Sequence, residues 1–361
     1  DMYDPEEEIW MGETILHAGT YQSVRAKSST YWNNFGVNKI DYIYSDGTDV
    51  YHDDLVIRRS PTNIDDASDF STMKPSGRQI VRTSRGVLYG FLNDGGNCEM
   101  WKSAEGSVWT VVDSEVCDSA SPIDLAIDSN DDIHTLYSDT ASFRLIEWSK
   151  FSTITDTFVT SEEVKTTAAG MSLGNLAITI DNSDIPHTTF SIHSLMDEAT
   201  DLSYRNRING AWQVVVIVES VVSATVGFND IDITINEDSP NIPEIVYINS
   251  SLDDLVAEIG NQNNATSFSG YTIDSAINDT AGQRGCSIVV SSITGDTWIA
   301  YIDSDNYLNL VQHLDASSWT SWETVLETDI LANEPSISLN GTNINVFYTN
   351  DQNDIVFNMY D

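Results

Sequence analysis

The sequence predicts an all-β fold, a seven-bladed β-propeller built from four-stranded antiparallel blades, and three observations lead to it. A short pattern recurs seven times at intervals of about fifty residues: alternating apolar residues, then an aromatic, any residue, and usually Asp or Asn. Three further strand-like segments accompany most copies, joined by turns rich in Asp, Asn, Ser and Gly. The last copy stops after its third strand, and the N-terminus offers a segment that fits as the fourth.

The aromatic residue of the recurring pattern marks the second strand of each blade. Its seven copies are Tyr44, Phe91, Tyr137, Phe190, Tyr247, Tyr301 and Tyr348. An apolar first strand precedes most copies, at 123–127, 176–180, 231–235, 287–290 and 335–339. Another aromatic opens the fourth strand, at Phe70, Trp109, Phe158, Trp212, Phe268 and Trp322. An isolated four-stranded unit cannot bury both of its faces, so the units are expected to pack around a ring.

Ring closure is predicted at residues 8–17, because Trp10 to Leu16 resembles the fourth-strand segment Trp322 to Leu326. The predicted blades are residues 20–75, 78–117, 121–165, 172–222, 228–277, 284–328 and 333–361, with 8–17 completing the last one. The rival architecture is a pair of β-sandwich domains, which would show no fifty-residue phase along the whole chain. The regular phase favours a single propeller domain over residues 1–361.

The hairpin Ser103-Ala-Glu105-Gly106-Ser-Val-Trp109 resembles the Asp box, Ser-x-Asp-x-Gly-x-x-Trp, although it is one residue shorter and has Glu for Asp. The chain is therefore similar to the bacterial-neuraminidase-repeat (BNR) propellers, which include sialidases, some polysaccharide lyases and lectin-like proteins. The resemblance implies the fold but no catalytic residue. Sialidases need three Arg around the substrate carboxylate, the first in an Arg-Ile-Pro run. Neither Arg25 nor Arg82 is followed by Ile-Pro, and the later Arg residues are Arg144, Arg205, Arg207 and Arg284.

Charge excludes several classes of partner. The chain has 56 acidic and 16 basic residues, a formal net charge of −40. Binding to a nucleic-acid backbone needs Lys and Arg to release counterions, and an anionic membrane would repel this surface. No stretch approaches eighteen consecutive apolar residues, so no membrane insertion is expected. The excess of Asp and scarcity of Lys favour a halophilic protein, and an acidic secreted protein at ordinary salinity is the alternative.

An extracellular, secreted or particle-surface location is expected. Residues 1–8 are acidic and unlike a signal peptide, so any such segment is expected to be removed or absent. Cys98 and Cys117 flank one predicted hairpin and are expected to form a disulfide, whereas Cys286 lies in an apolar run and suits the core. Four Asn-x-Ser/Thr sequons occur at Asn249, Asn264, Asn278 and Asn340. They suit surface loops, but a chain rich in Asn, Ser and Thr also produces such tripeptides by chance.

The candidate ligand-binding residues follow the distribution of positive charge. Six of the ten Arg residues lie in the first quarter of the chain: Arg25, Arg58, Arg59, Arg78, Arg82 and Arg85. Arg forms paired hydrogen bonds to carboxylate, sulfate and phosphate, so the patch is interpreted as a site for an anionic sugar or an acidic partner. The competing interpretation is that these residues neutralise Asp and Glu on neighbouring blades. Tyr31 and Trp32 are candidates for an exposed platform on which a sugar stacks.

The sequence predicts no metal site and no cofactor. The alternative is a site that binds calcium. Asp128, Asn130 and Asp132, and also Asp303 and Asp305, supply the oxygen ligands that calcium prefers, but neither set has the calcium-loop spacing. Solvated turn residues are the favoured interpretation. His187 and His193 lack metal-binding spacing. A His/Tyr pair of the kind used by lyases is left open.

These observations favour a non-enzymatic recognition or structural module. It would present one propeller face to an acidic glycan or a protein partner, in adhesion or as a component of a larger assembly on a cell or virion surface. The alternative is a carbohydrate-active enzyme, a sialidase-like hydrolase or a polysaccharide lyase, that uses the central funnel. A lectin with one sugar site between each pair of blades is disfavoured because the repeats diverge at their polar positions.

Overall fold

Every regular element in the described part of the chain is a β-strand. The computed structural model describes residues 80–93, 97–104, 108–116, 123–139, 145–194, 199–222, 227–237, 241–275, 277, 285–313, 324–327, 335–340, 343–349 and 355–360, and four short strands before residue 60. Those four are β1 (Tyr3–Asp4), β2 (Ile9–Trp10), β3 (Val37–Ile40) and β4 (Val56–Arg58). β1 pairs with β2, and β3 pairs with β4.

The remaining strands form six antiparallel sheets, A to F, in the order of the chain. Sheet A contains β5 (Ile80–Arg82), β6 (Leu88–Asn93), β7 (Asn97–Ser103) and β8 (Thr110–Val116). Sheet B contains β9 (Ile123–Ile127), β10 (Ile133–Asp139), β11 (Leu145–Ser152) and β12 (Thr157–Thr166). Sheet C contains β13 (Met171–Ile180), β14 (Pro186–Ser194), β15 (Ala199–Ile208), β16 (Ala211–Trp212) and β17 (Val216–Val222).

Sheet D contains β18 (Phe228–Asn236), β19 (Ile242–Asn249), β20 (Asp254–Gly260) and β21 (Phe268–Ser275). Sheet E contains β22 (Cys286–Val290), β23 (Thr297–Ile302), β24 (Leu308–His313) and β25 (Thr324–Glu327). Sheet F contains β26 (Ser336–Asn340), β27 (Asn343–Thr349) and β28 (Ile355–Tyr360). Each strand pairs with the next, so the sheets are meanders, except that in sheet C the fifth strand β17 pairs with β15 and not with β16.

Within the described residues of sheets A to F, the predicted strand pattern is confirmed, with one correction in sheet C. Tyr44, Phe70, Trp322 and most of the predicted closing strand 8–17 lie outside the described residues. The predicted first strand at 123–127 coincides with β9. Trp212 was expected to open a fourth strand, but it lies in the short β16, and β17 begins only at Val216. The cause is the Asn209-Gly210 turn, in which both residues have positive φ (53° and 77°) and close a two-residue hairpin.

The first strands of the six sheets follow one another side by side: β5, β9, β13, β18, β22 and β26. This is the order in which blades are arranged in a propeller. A first strand is an edge of its own sheet, so some of its N–H groups point away from the second strand. Asp124 on β9 accepts the N–H of Ile178 on β13 at 2.7 Å. Asp232 on β18 accepts the N–H of Ile288 on β22 at 3.0 Å, so carboxylates join neighbouring first strands.

The hydrophobic core lies between adjacent sheets. Five buried clusters each combine residues of two successive sheets, from A and B through to E and F. Six of the seven recurring aromatics are in the described part of the chain, where they lie in these clusters and are at most 2% exposed: Phe91, Tyr137, Phe190, Tyr247, Tyr301 and Tyr348. Burial of such a ring stabilises the fold by about 2–3 kcal/mol. The repeated pattern is therefore the signature of inter-sheet packing.

Candidate functional site

The turns between first and second strands are rich in polar residues, and we call four of the described ones together the turn rim. They are residues 83–87, 128–132, 181–185 and 291–296. The buried first residue of each turn accepts N–H groups from residues further along the same turn. Asp128 Oδ1, for example, accepts the N–H groups of Asn130 and Asp132, each at 2.9 Å.

Side chains also bind one turn to the next. The N–H and the hydroxyl of Ser84 donate to the two carboxylate oxygens of Asp131, each at 2.7 Å. Ser129 makes the same pair of bonds to Asp184, each at 2.8 Å. Asp131 and Asp184 have positive φ (63° and 59°), a conformation that Asp adopts more readily than most residues. Side-chain hydrogen bonds therefore hold the turns of sheets A, B and C together.

One of the predicted ligand-binding residues, Arg85, lies on this rim, and a second, Arg82, immediately precedes it. Arg82 ends β5 and is exposed, and its guanidinium packs beside Gly86 of the adjoining turn. The Arg85 side chain is 59% exposed, lies 3.8 Å from Asp131 and donates to the Thr153 hydroxyl at 3.3 Å. The contact with Asp131 supports the competing interpretation that Arg85 neutralises a neighbouring sheet, although it is an ion pair without a hydrogen bond.

The other candidate residues lie elsewhere in the chain. Arg58 is the last residue of β4, and its side chain lies outside the described part of the structure. Arg25, Tyr31, Trp32, Arg59 and Arg78 lie outside the described residues. Cys98 is buried and disulfide-bonded, Cys286 is a buried free thiol, and Cys117 lies outside the described residues.

Asp128 and Asp303, two of the aspartates considered as calcium ligands, accept hydrogen bonds within their own turns. Asp128 Oδ2 accepts hydrogen bonds from Lys150 at 3.0 Å and contacts His134 Nε2 at 3.2 Å. Burial alone would raise the pKa of Asp128, but the bonds from His134 and Lys150 hold it well below its usual range. Asp303 Oδ1 accepts the N–H groups of Asp305 and Tyr307. Among the described residues, no group of three or more His, Cys, Asp and Glu is arranged to hold a metal ion.

Two buried histidines connect the rim to the interior. Trp148 Nε1 donates to His134 Nδ1 at 3.2 Å, and His187 Nδ1 lies 2.6 Å from the Tyr204 hydroxyl. Burial lowers the pKa of His134 more than Asp128 raises it, so this imidazole is neutral near pH 7. His187 and Tyr204 form a His/Tyr pair, but they are 0% and 1% exposed, so no substrate reaches them.

The arginines considered for a sialidase triad have internal partners. Arg205 lies on β15, a third strand, and donates to the backbone carbonyls of Gln213, Val164 and Trp212. Arg207 forms paired hydrogen bonds with Glu162 at 2.6 and 2.9 Å and packs over the Trp148 ring. Arg144 and Arg284 lie outside the described residues.

Sequence reasoning missed two neighbouring glutamates at the junction of sheets C and D, of which Glu258 is buried and Glu219 is half-buried. Glu219 on β17 accepts hydrogen bonds from the Tyr247 hydroxyl and, at 3.5 Å, from Asn249. Glu258 on β20 is 7% exposed, and burial together with the Glu219 carboxylate raises its pKa to about 7. The corresponding junction between sheets A and B has a single glutamate, Glu115, which accepts from the hydroxyls of Tyr137 (3.0 Å) and Ser149 (2.6 Å).

Comparison with known proteins identifies the fold. No protein-family model matches the chain, and no curated protein matches its sequence. Among solved structures, the BP39L lectin from Burkholderia pseudomallei matches with a TM-score of 0.55 at 12% identity, over 76% of this chain and 77% of that chain. The fold is that of a β-propeller.

Two further structures match less closely. The lectin of Aleuria aurantia, described as a six-bladed β-propeller that recognises fucose, has a TM-score of 0.47 at 13% identity, over 78% of this chain and 90% of that one. An α-L-arabinofuranosidase from Fusarium graminearum has a TM-score of 0.48 at 12% identity, over 80% and 95%. At such identities only the fold is shared. No helix in the described part of the chain is long and apolar enough to span a membrane.

Proposed function

We propose that this protein is a recognition module that binds an acidic glycan at the turn rim and does not turn it over. The observation that carries the proposal is Arg85, a largely exposed guanidinium on the hydrogen-bonded rim of a protein with a net charge of −40. Arg82, at the end of β5 beside this turn, adds a second guanidinium. A rim held in place by inter-turn bonds loses little conformational entropy on binding, which favours affinity.

The chemistry of the rim suits a carboxylated or sulfated sugar. Guanidinium groups bind such anions with paired, charge-assisted hydrogen bonds. Asp131 lies 3.8 Å from Arg85, so Arg85 keeps donors for a ligand while the aspartate holds it near the rim. Asn130 and Ser183 on neighbouring turns are also exposed and offer polar groups to sugar hydroxyls. The lectin neighbours are consistent with this proposal.

An Arg85→Ala variant tests it against a charge-matched control, Lys165→Ala. Lys165 lies near the end of β12, far from the β11–β12 turn that borders the rim. Each protein is screened on a glycan array at low and high salt, and the best acidic glycan is then titrated. Loss of a charged hydrogen bond of about 1.5–3 kcal/mol predicts roughly 10- to 100-fold weaker binding for Arg85→Ala. The control should bind within about twofold of the parent, because long-range charge is screened.

Equal affinity of Arg85→Ala and the parent would overturn the proposed site. Binding of no glycan by the parent at either salt would overturn glycan recognition, and a protein partner would then be sought. No observation on the described residues favours the enzymatic alternative, since Arg205, Arg207 and the buried His187–Tyr204 pair are occupied by internal contacts.

We also propose a ring of seven blades closed by residues 8–17, in the BNR-like class. Support comes from the β3–β4 pair ahead of the six sheets and from sheet F, which has three strands among the described residues. Ser103 and Trp109, the ends of the Asp-box-like hairpin, are both buried. An extracellular or particle-surface location, within a larger assembly and at high salt, is supported by the disulfide at Cys98 and by the charge.

A further inference from the structure

The four glycosylation sequons look alike in the sequence, but the structure shows that the asparagines of two of them differ in exposure. Asn249 is 0% exposed, and its Nδ2 faces Glu219 at the junction of sheets C and D. Asn264 is exposed in the loop between β20 and β21, and its side chain has no hydrogen bond to any described residue. The side chains of Asn278 and Asn340 lie outside the described residues.

The loop around Asn264 is held in shape by its own hydrogen bonds. Asn261 Oδ1 accepts the N–H of Thr266 at 3.0 Å, and Asn261 Nδ2 donates to the Thr266 hydroxyl at 3.1 Å. Gln262 Nε2 donates to the Asn264 carbonyl at 3.0 Å. Ala265, the middle residue of the sequon, is 2% exposed, so the loop is anchored from the inside while Asn264 points away from the core.

We propose that Asn264 is an N-glycosylation acceptor. During export, a glycosyltransferase would form a bond between Asn264 Nδ2 and the anomeric carbon of a polyprenyl-phosphate-linked saccharide. The bond from that carbon to the phosphate oxygen breaks, the polyprenyl phosphate leaves with the electron pair, and the amide proton passes to a base of the transferase. The sequon Asn264-Ala265-Thr266 supplies the required residue types.

A glycan at Asn264 fits the fold and protects it. The loop adjoins β21, the outer edge strand of sheet D, whose residues Ser269 to Thr272 are exposed. Edge strands present unpaired N–H and C=O groups that invite pairing with another chain. A bulky solvated saccharide beside this edge hinders such pairing without displacing a core residue. The inference does not depend on glycan recognition by the rim.

Peptide mapping of the full chain secreted from a host with N-glycosylation machinery tests the proposal. The peptide that carries Asn264 should be mass-shifted, and enzymatic removal of the glycan should leave aspartate at position 264. Asn264→Gln and Thr266→Val should lose the modification, whereas Thr266→Ser keeps a sequon hydroxyl and should retain it.

The folded protein should show no modification at Asn249. Recovery of the Asn264 peptide only in unmodified form from folded, secreted protein would overturn the proposal. So would modification of the Thr266→Val variant at Asn264, because a sequon hydroxyl would then not be needed. Thermal unfolding of Asn264→Gln should match the deglycosylated parent, since the side chain makes no bond that the substitution removes.

Discussion

Replacement of Glu258 by Gln should stabilise the protein at alkaline pH and leave it unchanged in acid. Glu258 lies near the carboxylate of Glu219 at the junction of sheets C and D. Its Oε1 packs closely against Gly270, because a Cβ added at position 270 would be only 2.5 Å away. Burial and the second carboxylate raise the pKa of Glu258 from 4.5 to about 7. A carboxyl with a raised pKa imposes no cost below its unfolded pKa, and the cost grows between pH 4.5 and pH 7 and is complete above that.

The size of the effect follows from the shift. At about 1.4 kcal/mol per pKa unit, the shift corresponds to roughly 3 kcal/mol, an upper limit for a rigid site. Relaxation and water near a group that keeps some solvent contact reduce this to roughly 1–2 kcal/mol. Gln has the same shape without the charge, so the variant avoids the cost of ionisation.

Denaturant unfolding at pH 5 and pH 8, at constant ionic strength, measures the difference. Glu258→Gln should exceed the parent by about 1–2 kcal/mol at pH 8 and by clearly less at pH 5, where the cost of ionising Glu258 has only begun to grow. Glu163→Gln, an exposed carboxylate on β12, controls for the loss of one negative charge and should leave the pH dependence unchanged. A Glu258→Gln variant that is no more stable than the parent at pH 8 would refute the reasoning.

Two other predictions concern the inter-turn bonds and the charge. Asp184→Ala removes the acceptor for Ser129 and Asn130 and places Ala at a positive φ, so it should cost about 2 kcal/mol by denaturant unfolding. Asp184→Asn, which tolerates that φ and keeps an acceptor, should cost clearly less, and equal losses would contradict the assigned bonds. The melting temperature should rise by several degrees between about 0.1 and 2 M NaCl, because salt screens the repulsion of a −40 chain. A flat or falling curve would count against a halophilic character.

The strand order was predictable from the sequence because it depends on local periodicity. The aromatic at the centre of each repeat is predicted on a second strand, and Phe91 and Tyr247 lie on the second strands β6 and β19. The fourth strand of sheet C was misplaced because Trp212 fits the pattern of a fourth strand, while the Asn209-Gly210 turn inserts an extra short hairpin.

The contacts between sheets were not predictable from one sequence. Ser84 and Asp131 are 47 residues apart, and no local rule pairs them. The Glu219–Glu258 junction was missed for the same reason, because each glutamate alone resembles a surface residue of an acidic protein. Glu258 on the third strand of sheet D is equivalent to Ser149 on the third strand of sheet B, because each pairs with the residue two positions before the recurring Tyr. This equivalence is visible only when the strand registers are compared.

Under the proposed function, the ligand would contact a few turns of the rim and not every blade equally. Residues at equivalent positions in the turns make structural hydrogen bonds. The first residue accepts N–H groups of its own turn, and Asp131 and Asp184 accept hydrogen bonds from the preceding turn. The third residue points to solvent in all four described turns, and there the chemistry differs: Arg85, Asn130, Ser183 and Ile293. A symmetric lectin would repeat its sugar contacts at that position. Because the exposed position varies while the buried ones correspond, selectivity would arise where a cation is present, at Arg85 and its neighbour Arg82.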